Sequence, residues 1–445
     1  MLASAIESDF SYFLWRALQG DFLKRVNYLD RLLNLALRGM TLAAKFLLIL
    51  FLARFLEPSE LGLYGLLVAA IGYALYMLGL DFYTYTTREL LKHDRAQWGG
   101  MLKSQVALTL VLYCVCLPLL LLVFVAGSLP WWVAGWFFAL LILEHLNQEA
   151  SRLLIAVSDP LFASMALFLR QGAWVLVLVP VMYFEPLLRN LVMVLGAWTI
   201  GGLMALSVAA WRLVMMRAGG WCSPVDWRWI WVGVRVALPL LVATLAVRAL
   251  FTFDRYWLES LAGLDVLGAY VLFISIATAM GAFLEAGIFV FAYPGLIAAF
   301  QRDEPALFMQ GMRRLFIQTS GLIVGFSMLA LLLINPLLNW LDRPLYHQHV
   351  GVFPWVLLAM ALYNLSMIPH YGLYAQRQDR PIIQSHIVAL PVFLLATWLL
   401  IVHWSNLAVP IGLCVAFSLM LVWKTVAYIR LTPVRYRHSS PASGV

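Results

Sequence analysis

The sequence predicts an all-α integral membrane protein, a bundle of about twelve transmembrane helices. Of its 445 residues, 63% are hydrophobic and 12% are charged, whereas soluble proteins carry about 25% charged residues. Apolar runs of about 20 residues, the length of an α-helix that crosses the hydrocarbon core, recur along the whole chain. Segments of about ten alternating residues, which are typical of membrane β-barrels, are not visible. Bundled helices are therefore the expected architecture.

Charged residues and Pro- or Gly-rich stretches separate the apolar runs and delimit the predicted helices. The predicted spans are 33–55, 61–84, 104–127, 130–152, 161–184, 190–215, 230–253, 266–297, 315–338, 352–374, 382–403 and 407–429. Residues 1–30 mix acidic, basic and aromatic side chains and lack both a continuous apolar core of about 7–15 residues and a small-residue cleavage site. We interpret this segment as cytoplasmic and amphipathic, not as a signal peptide.

The net charge of +8 comes from basic residues that concentrate in alternate loops. One set of loops contains Lys24, Arg25, Arg31, Arg88, Lys92, Arg95, Lys103, Arg152, Arg212, Arg217, Arg228, Arg302, Arg313, Arg314, Arg377, Arg380, Arg430, Arg435 and Arg437. The opposite set contains little beyond Arg54, Arg189, Arg255 and Arg343. The positive-inside rule then places both termini in the cytoplasm. This pattern indicates a membrane orientation signal, and nucleic acid is not an expected partner.

Two short interruptions have similar sequences and occupy equivalent places in the helix order. Residues 57–65, EPSELGLYG, separate the first and second spans, and residues 261–270, LAGLDVLGAY, separate the seventh and eighth. The chain is therefore predicted to contain parallel repeats that form two six-helix lobes with a central cleft. The predicted parts are an N-terminal lobe at 31–217, a cytoplasmic linker at 218–228, a C-terminal lobe at 229–430 and a cytoplasmic tail at 431–445.

The first of these interruptions has the composition of a tight extracytoplasmic turn. Pro58 is expected to stop one helix, Ser59 to cap the next, and Gly62 to permit close approach of a neighbouring helix. Tyr64 and Tyr270 are expected to lie near the membrane interface.

Ionisable side chains inside the spans are candidates for function because they are expensive to bury in lipid. On the first helix, Asn34, Arg38, Thr41 and Lys45 recur at a spacing that places them on one face. The seventh helix repeats the pattern with Thr244, Arg248, Thr252 and Arg255, of which Arg255 is assigned to the outer rim and Arg248 to the deeper position. Arg152 and Arg170 add further cations.

These cations predict a water-filled path for an anionic group, because Arg forks match phosphate oxygens and Lys acts as a point charge. The candidate path residues are Asn34, Arg38, Lys45, Arg152, Arg170 and Arg248. Glu144 and Glu285 are candidates for proton or ion coupling. Structural pairing is the open alternative, with Arg152 bound to Glu144 or Glu149 and Glu285 bound to an arginine of the path.

Motifs for other chemistry are missing from the sequence. It contains no Gly-rich phosphate loop, no paired Asp motif in a usable loop, and no metal-ligand spacing beyond His347 and His349. The longest far-side loop, 339–351, leaves little room for the acceptor of an integral-membrane glycosyltransferase or ligase. We therefore predict a protein that is not an enzyme and that holds no metal or cofactor.

The segment 31–90 resembles the amino-terminal region of bacterial polysaccharide biosynthesis membrane proteins. These are the O-antigen and exopolysaccharide flippases of the multidrug/oligosaccharidyl-lipid/polysaccharide (MOP) exporter superfamily. The likeness is carried by LLNLALRG, ARFLEPSELGLYG and GLDFYTYTTREL, and in the second half by FDRYWLESLAGLDVLGAY at 253–270.

The resemblance implies a flippase of the bacterial inner membrane. Its expected substrate is a polyprenyl-diphosphate-linked oligosaccharide, moved from the cytoplasmic to the periplasmic leaflet by alternating access. Expected partners are the lipid bilayer, a polysaccharide polymerase and glycosyltransferases, and the expected state is a monomer.

Three competing functions stay open beside the flippase. A multidrug exporter of the same fold predicts an acid-dominated cavity. An integral-membrane glycosyltransferase or ligase predicts sizeable extracytoplasmic loops. A non-transporting scaffold of a polysaccharide assembly complex predicts that the buried charges are not essential.

Overall fold

The computed structural model describes residues 28–436, and within that range every regular element is helical. The predicted amphipathic segment 1–30 lies outside the described residues apart from its last three, which begin the first helix. The end of the predicted tail, from residue 437 onward, also lies outside them.

Among the described residues, the fifteen α-helices of nine or more residues are labelled in chain order. They are α1 (Tyr28–Phe55), α2 (Pro58–Gly79), α3 (Tyr83–Lys92), α4 (Trp98–Leu120), α5 (Ala134–Ala156), α6 (Pro160–Phe168), α7 (Trp174–Phe184), α8 (Leu191–Met215), α9 (Trp227–Leu284), α10 (Val290–Gln301), α11 (Pro305–Leu341), α12 (Phe353–Leu365), α13 (Met367–Ala375), α14 (Asp379–Ile401) and α15 (Ala408–Leu431). Two π-helical turns, Leu169–Ala173 and Glu285–Phe289, join α6 to α7 and α9 to α10.

The prediction of an all-α integral membrane protein is confirmed. Among the described residues, ten helical segments are long and apolar enough to cross a membrane. One of them, Trp227–Gln301, contains both the seventh and the eighth predicted spans. The fourth predicted span corresponds to α5, a 23-residue helix outside those ten. It carries Glu144, Glu149 and Arg152. Each predicted span therefore has a helical counterpart.

The connection between the seventh and eighth spans differs from the expected loop. The helix continues from Trp227 to Leu284, and its interruption is a single residue, Gly263, with φ 82° and ψ 173°. This backbone conformation is open to glycine and strained for other residues. The chain thus changes direction within the LAGLDVLGAY sequence by a kink and not by an extended turn.

The turn between α1 and α2 is short, as predicted, but the side chain that caps the N-terminus of α2 is not the predicted Ser59. α1 ends at Phe55, and Pro58 is the first residue of α2. The Glu60 carboxylate accepts a hydrogen bond from the Glu57 N–H at 3.4 Å and another from the Leu191 N–H at 3.1 Å. Glu60 therefore takes the capping role predicted for Ser59, since its carboxylate reaches back past the helix start and also complements the helix dipole.

The two similar interruptions pack directly against each other. A Cβ atom on Gly62 would lie 2.3 Å from the Leu264 carbonyl oxygen, and a Cβ on Gly268 would lie 2.1 Å from the Pro58 carbonyl oxygen. Each glycine thus lets its helix reach the backbone of the other, as small residues do where membrane helices cross closely. The close approach predicted at Gly62 is confirmed. The first interruption, at the start of α2, thus packs against the second interruption, which has a similar sequence.

Gly268→Ala is expected to destabilise the protein by about 1–3 kcal/mol or more, because the added methyl group meets backbone that must shift. Gly321→Ala is the matched control, since a Cβ at Gly321 in α11 has no neighbouring atom within 4 Å. Thermal denaturation in detergent, followed by size-exclusion chromatography, measures both variants. Equal stability of the two variants would contradict the tight contact.

Tyr270, which is predicted to lie near the membrane interface, is buried within the protein. The side chain is 1% exposed, and its hydroxyl donates to the Asp254 carboxylate at 2.7 Å. Asp254 also accepts from the Arg255 N–H at 2.8 Å. A buried carboxylate requires such donors, so this tyrosine joins the segments before and after the Gly263 kink.

The described residues pack as two compact units. The first contains residues 28–45, 74–188 and 192–239, and the second contains 46–73, 189–191 and 240–436. The predicted lobe boundaries remain a prediction. In the second unit, the Tyr436 hydroxyl donates to Asp303 at 2.6 Å, and this hydrogen bond, with Arg435, holds the pKa of the Asp303 carboxyl below its usual range. The end of the described chain is thereby attached to the loop between α10 and α11.

Candidate functional site

A cavity of about 680 Å³ lies in the second unit. It is lined by residues of α2, α9, α12, α13 and α14. Its volume is within the range of about 300–1,000 Å³ that small-molecule sites occupy. The cavity is therefore large enough for a ligand of several functional groups.

One face of α9 supplies the basic side of this cavity. Thr244, Arg248, Thr252 and Arg255 all line it, as their helical spacing requires. The Thr252 hydroxyl donates to the Arg248 carbonyl oxygen at 3.0 Å, so this threonine is satisfied within its own helix. Arg255, which is predicted to lie at the outer rim, also lines the cavity, where one guanidinium nitrogen donates to the Gly65 carbonyl oxygen at 3.3 Å.

The remaining polar lining is mostly neutral. Asn364 donates to the Met360 carbonyl oxygen at 2.8 Å, and Tyr73 and Tyr374 contribute phenol groups. Asp379, at the start of α14, adds one carboxylate. Against the two guanidinium groups of Arg248 and Arg255, this leaves the lining with one net positive charge, before any charge on its histidines is counted.

His370 and His386 line the same cavity and are not among the predicted site residues. Their rings lie parallel, with centroids 6.1 Å apart and an interplanar angle of 17°. Lys424 on α15 is 0% exposed and interacts electrostatically with both rings. Sequence periodicity could not reveal this group, because the three residues lie on three different helices and their proximity depends on tertiary packing.

The first unit contains a buried ion pair. Arg170, in the π-helical turn Leu169–Ala173, forms a salt bridge with Glu144 of α5. Both residues are buried, at 7% and 4% exposure. The Trp198 indole N–H donates to the other Glu144 oxygen at 2.7 Å. Glu144 is predicted as a coupling group and Arg170 as a path residue, and in this structure they bind each other.

Arg152 forms a structural pair with Glu149, one of the two carboxylates that the pairing alternative names. The two side chains are 2.7 Å apart, and Gln105 also donates to Glu149 at 2.6 Å. The Arg152 guanidinium lies 3.6 Å from the centroid of the Tyr83 ring, a cation–π contact. Residues of α3, α4 and α5 thus hold Arg152 in place, directly or through Glu149.

The polar stripe of α1 forms its own local network. The Arg38 Nε donates to the Asn34 amide oxygen and to the Ser164 hydroxyl, each at 3.2 Å, and Ser164 donates to Asn34. Lys45 is exposed and interacts electrostatically with Arg170 and Glu144. The stripe therefore presents two accessible cations, Arg38 and Lys45, two helical turns apart on one face of α1.

Glu285 lies in the second π-helical turn, Glu285–Phe289, and is exposed. It accepts a hydrogen bond from the Tyr371 hydroxyl at 3.3 Å. Arg170 and Glu285, two of the predicted site residues, thus both lie in π-helical turns, which often occur at functional sites. Within residues 28–436, no cluster of three or more His, Cys, Asp or Glu side chains is arranged to hold a metal ion.

Comparison with known proteins shows the fold. No family model and no curated protein matches the chain. A multidrug resistance MATE family transporter of the MOP superfamily, in its inward-facing conformation, matches with a TM-score of 0.71 at 13% identity, over 90% of this chain and 99% of that one. An outward-facing structure of such a transporter matches with a TM-score of 0.56 at 13% identity, over 90% and 95%.

A third similar solved structure is distinguished by the polarity of its binding pocket. It is a MOP superfamily transporter from Pyrococcus furiosus, described by a reverse polarity of its binding pocket that suggests a different function. It matches with a TM-score of 0.58 at 15% identity, over 91% of this chain and 95% of that one. At such identities the likeness shows the fold alone, that of the MATE family transporters, and the substrate must be inferred from the site.

Proposed function

We propose that this protein is a membrane transporter that moves a polyprenyl-diphosphate-linked oligosaccharide from the cytoplasmic to the periplasmic leaflet by alternating access, for the synthesis of a surface polysaccharide. The observation that carries the proposal is the net positive lining of the cavity in the second unit, which contains Arg248 and Arg255 and a single carboxylate, Asp379. An excess of cations inside a membrane protein favours a substrate with an anionic group.

The spacing of the two arginines suits a diphosphate with an attached sugar. Arg248 and Arg255 are seven positions apart on α9, which corresponds to about 10 Å along a helix axis. Each guanidinium can bind phosphate oxygens in a bidentate manner. Neutral groups such as Asn364 and Tyr374 supply the hydrogen-bonding partners that hydroxyl-rich sugars require.

Only the polar head group needs a path through the protein. The polyprenyl tail is as apolar as the bilayer interior, so it stays in lipid and its desolvation costs nothing. Arg38 and Lys45 are proposed to attract the head group along α1, since both are accessible. Arg152 and Arg170 would reach the phosphates only by exchanging their carboxylate partners, Glu149 and Glu144, for phosphate oxygens.

The proposed setting is the bacterial inner membrane, with both termini in the cytoplasm because of the distribution of basic loop residues. The protein is proposed to act as a monomer that receives its substrate from glycosyltransferases and delivers it to a polysaccharide polymerase. Glu144 and Glu285 remain the proposed residues for proton or ion coupling.

Export of cationic drugs is the second candidate function. The observation in its favour is the likeness to a multidrug resistance MATE family transporter, with a TM-score of 0.71. A cavity for cations should be lined mainly by acids, because opposite charges stabilise a desolvated ligand. Arg248 and Arg255 of α9 would repel a cationic drug in this cavity, so we consider drug export the less favoured function.

A binding experiment separates the two candidates. Farnesyl-diphosphate-linked N-acetylglucosamine serves as a short-chain substrate probe and ethidium as a cationic drug probe, with purified protein in detergent and isothermal titration calorimetry. We expect the diphosphate probe to bind at least about tenfold more tightly than ethidium, the effect of one additional charge-assisted contact. The same measurement with farnesol controls for binding through the prenyl chain. Tighter binding of ethidium would support the exporter and overturn the proposal.

A further inference from the structure

The group formed by His370, His386 and Lys424 has no role in the function proposed above. His370 and His386 line the cavity, and Lys424 of α15, which is fully buried, interacts electrostatically with both. Within the described part of the chain, the Lys424 amine and the His370 Nδ1 have no hydrogen-bond partner. Two basic groups therefore line the cavity and interact with a third that is buried outside its lining, and two polar atoms of the three groups are unsatisfied.

Such an arrangement is unfavourable when all three groups are protonated. A buried ammonium with no partner retains the cost of leaving water, and each protonated imidazole would repel it. The cations Arg248 and Arg255 line the same cavity, and Asp379 is the carboxylate in its lining. The Tyr371 ring also contacts the His370 ring, with centroids 5.5 Å apart, and its hydroxyl donates to Glu285. Without an anionic ligand, the state in which His370, His386 and Lys424 are not all protonated is therefore favoured.

An anionic ligand reverses this preference. A diphosphate diester carries one negative charge on each phosphate, and the lining provides one net positive charge from Arg248, Arg255 and Asp379. One further proton on the basic group balances the ligand. Phosphate oxygens would also accept hydrogen bonds from the imidazoles, which become donors on both nitrogens when protonated.

We propose that His370 and His386, supported by Lys424, form a phosphate subsite that takes up a proton when the anionic ligand binds. This inference rests on the proposed function, because it assumes a diphosphate in the cavity. It adds a link between substrate binding and protons: binding consumes a proton and release returns it. Because the substrate binds from the cytoplasm and is released to the periplasm, each cycle would carry one proton outward with it, and a more acidic periplasm would oppose transport.

The test is the number of protons taken up on binding. Titrations of the short-chain diphosphate probe in two buffers of different ionisation enthalpy give this number directly. We expect about one proton per bound probe in the wild-type protein, and an affinity that falls by up to about tenfold per pH unit where the group loses its proton. Binding of the probe with no proton exchange would overturn the inference and leave the proposed function intact, whereas absence of binding would overturn both.

Variants assign the proton to this group. His386→Gln and Lys424→Met are expected to reduce proton uptake to well below one and to weaken binding by about tenfold. Lys424→Met removes an unpaired buried charge and keeps an unbranched side chain, so it is expected to fold. His403→Gln, which changes an exposed histidine between α14 and α15, is the control and should retain wild-type uptake. Uptake that is unchanged in both cavity variants would place the proton elsewhere and refute the assignment.

Discussion

Arg248→Glu is expected to abolish surface polysaccharide in cells that depend on this protein. Arg248 is accessible and lines the cavity of the second unit. A hydrogen bond to a charged group contributes about 1.5–3 kcal/mol, which corresponds to roughly 10- to 150-fold in affinity. Reversal of the charge adds repulsion of the phosphate to this loss, so transport should fall by more than about 100-fold.

Graded variants at the same position separate charge from packing. Arg248→Lys keeps the charge without the bidentate fork and is expected to retain part of the activity. Arg248→Ala removes the charged hydrogen bond altogether, so transport should fall by roughly 10- to 150-fold. Lys45→Ala tests the accessible cation on α1 in the same way. The measurement is the amount of surface polysaccharide at matched protein level.

Arg313→Glu is the control for the change of charge, because Arg313 is an exposed residue of α11 outside the cavity lining. It should leave the polysaccharide unchanged. Wild-type polymer levels in both Arg248→Ala and Lys45→Ala would remove these two residues from the substrate path. Equal losses in Arg248→Glu and Arg313→Glu would indicate a general effect of the added charge on the protein.

The local features of this fold could be predicted from the sequence. Helical spacing alone places Thr244, Arg248, Thr252 and Arg255 on one face, and all four line one cavity. Apolar run length similarly predicts the spans. A small residue beside a turn indicates close backbone approach, and Gly62 does approach the backbone of Leu264 closely. Each of these inferences depends on residues that are close together in the sequence.

Features that depend on distant residues could not be predicted in the same way. The sequence places Arg152 near both Glu144 and Glu149 on α5, and it contains no signal that Glu144 binds Arg170 instead. The helix that continues through residues 254–262 is stabilised by the bond from Tyr270 to Asp254, a contact across the kink. Lys424 looks like an ordinary cation near a helix end until packing covers it.

The pairing of Glu144 with Arg170 has a direct consequence for stability. Glu144→Gln is expected to destabilise the protein by about 3–5 kcal/mol, because it leaves the buried Arg170 charge without compensation. The amide can still accept from Trp198, so the loss reports the charge and not the hydrogen bond to the indole. The apparent Tm in detergent should fall by several degrees.

A double variant and a surface pair provide the controls for this prediction. Arg170→Met in the Glu144→Gln background removes the uncompensated charge and should restore most of the lost stability, since an apolar replacement of a buried pair is often neutral. Glu57→Gln breaks the ion pair with Arg343, in which the glutamate side chain is 67% exposed, and should cost at most about 1 kcal/mol. If Glu144→Gln and Glu57→Gln cost the same, or if Arg170→Met restores nothing, the buried charge pair is not what stabilises the first unit.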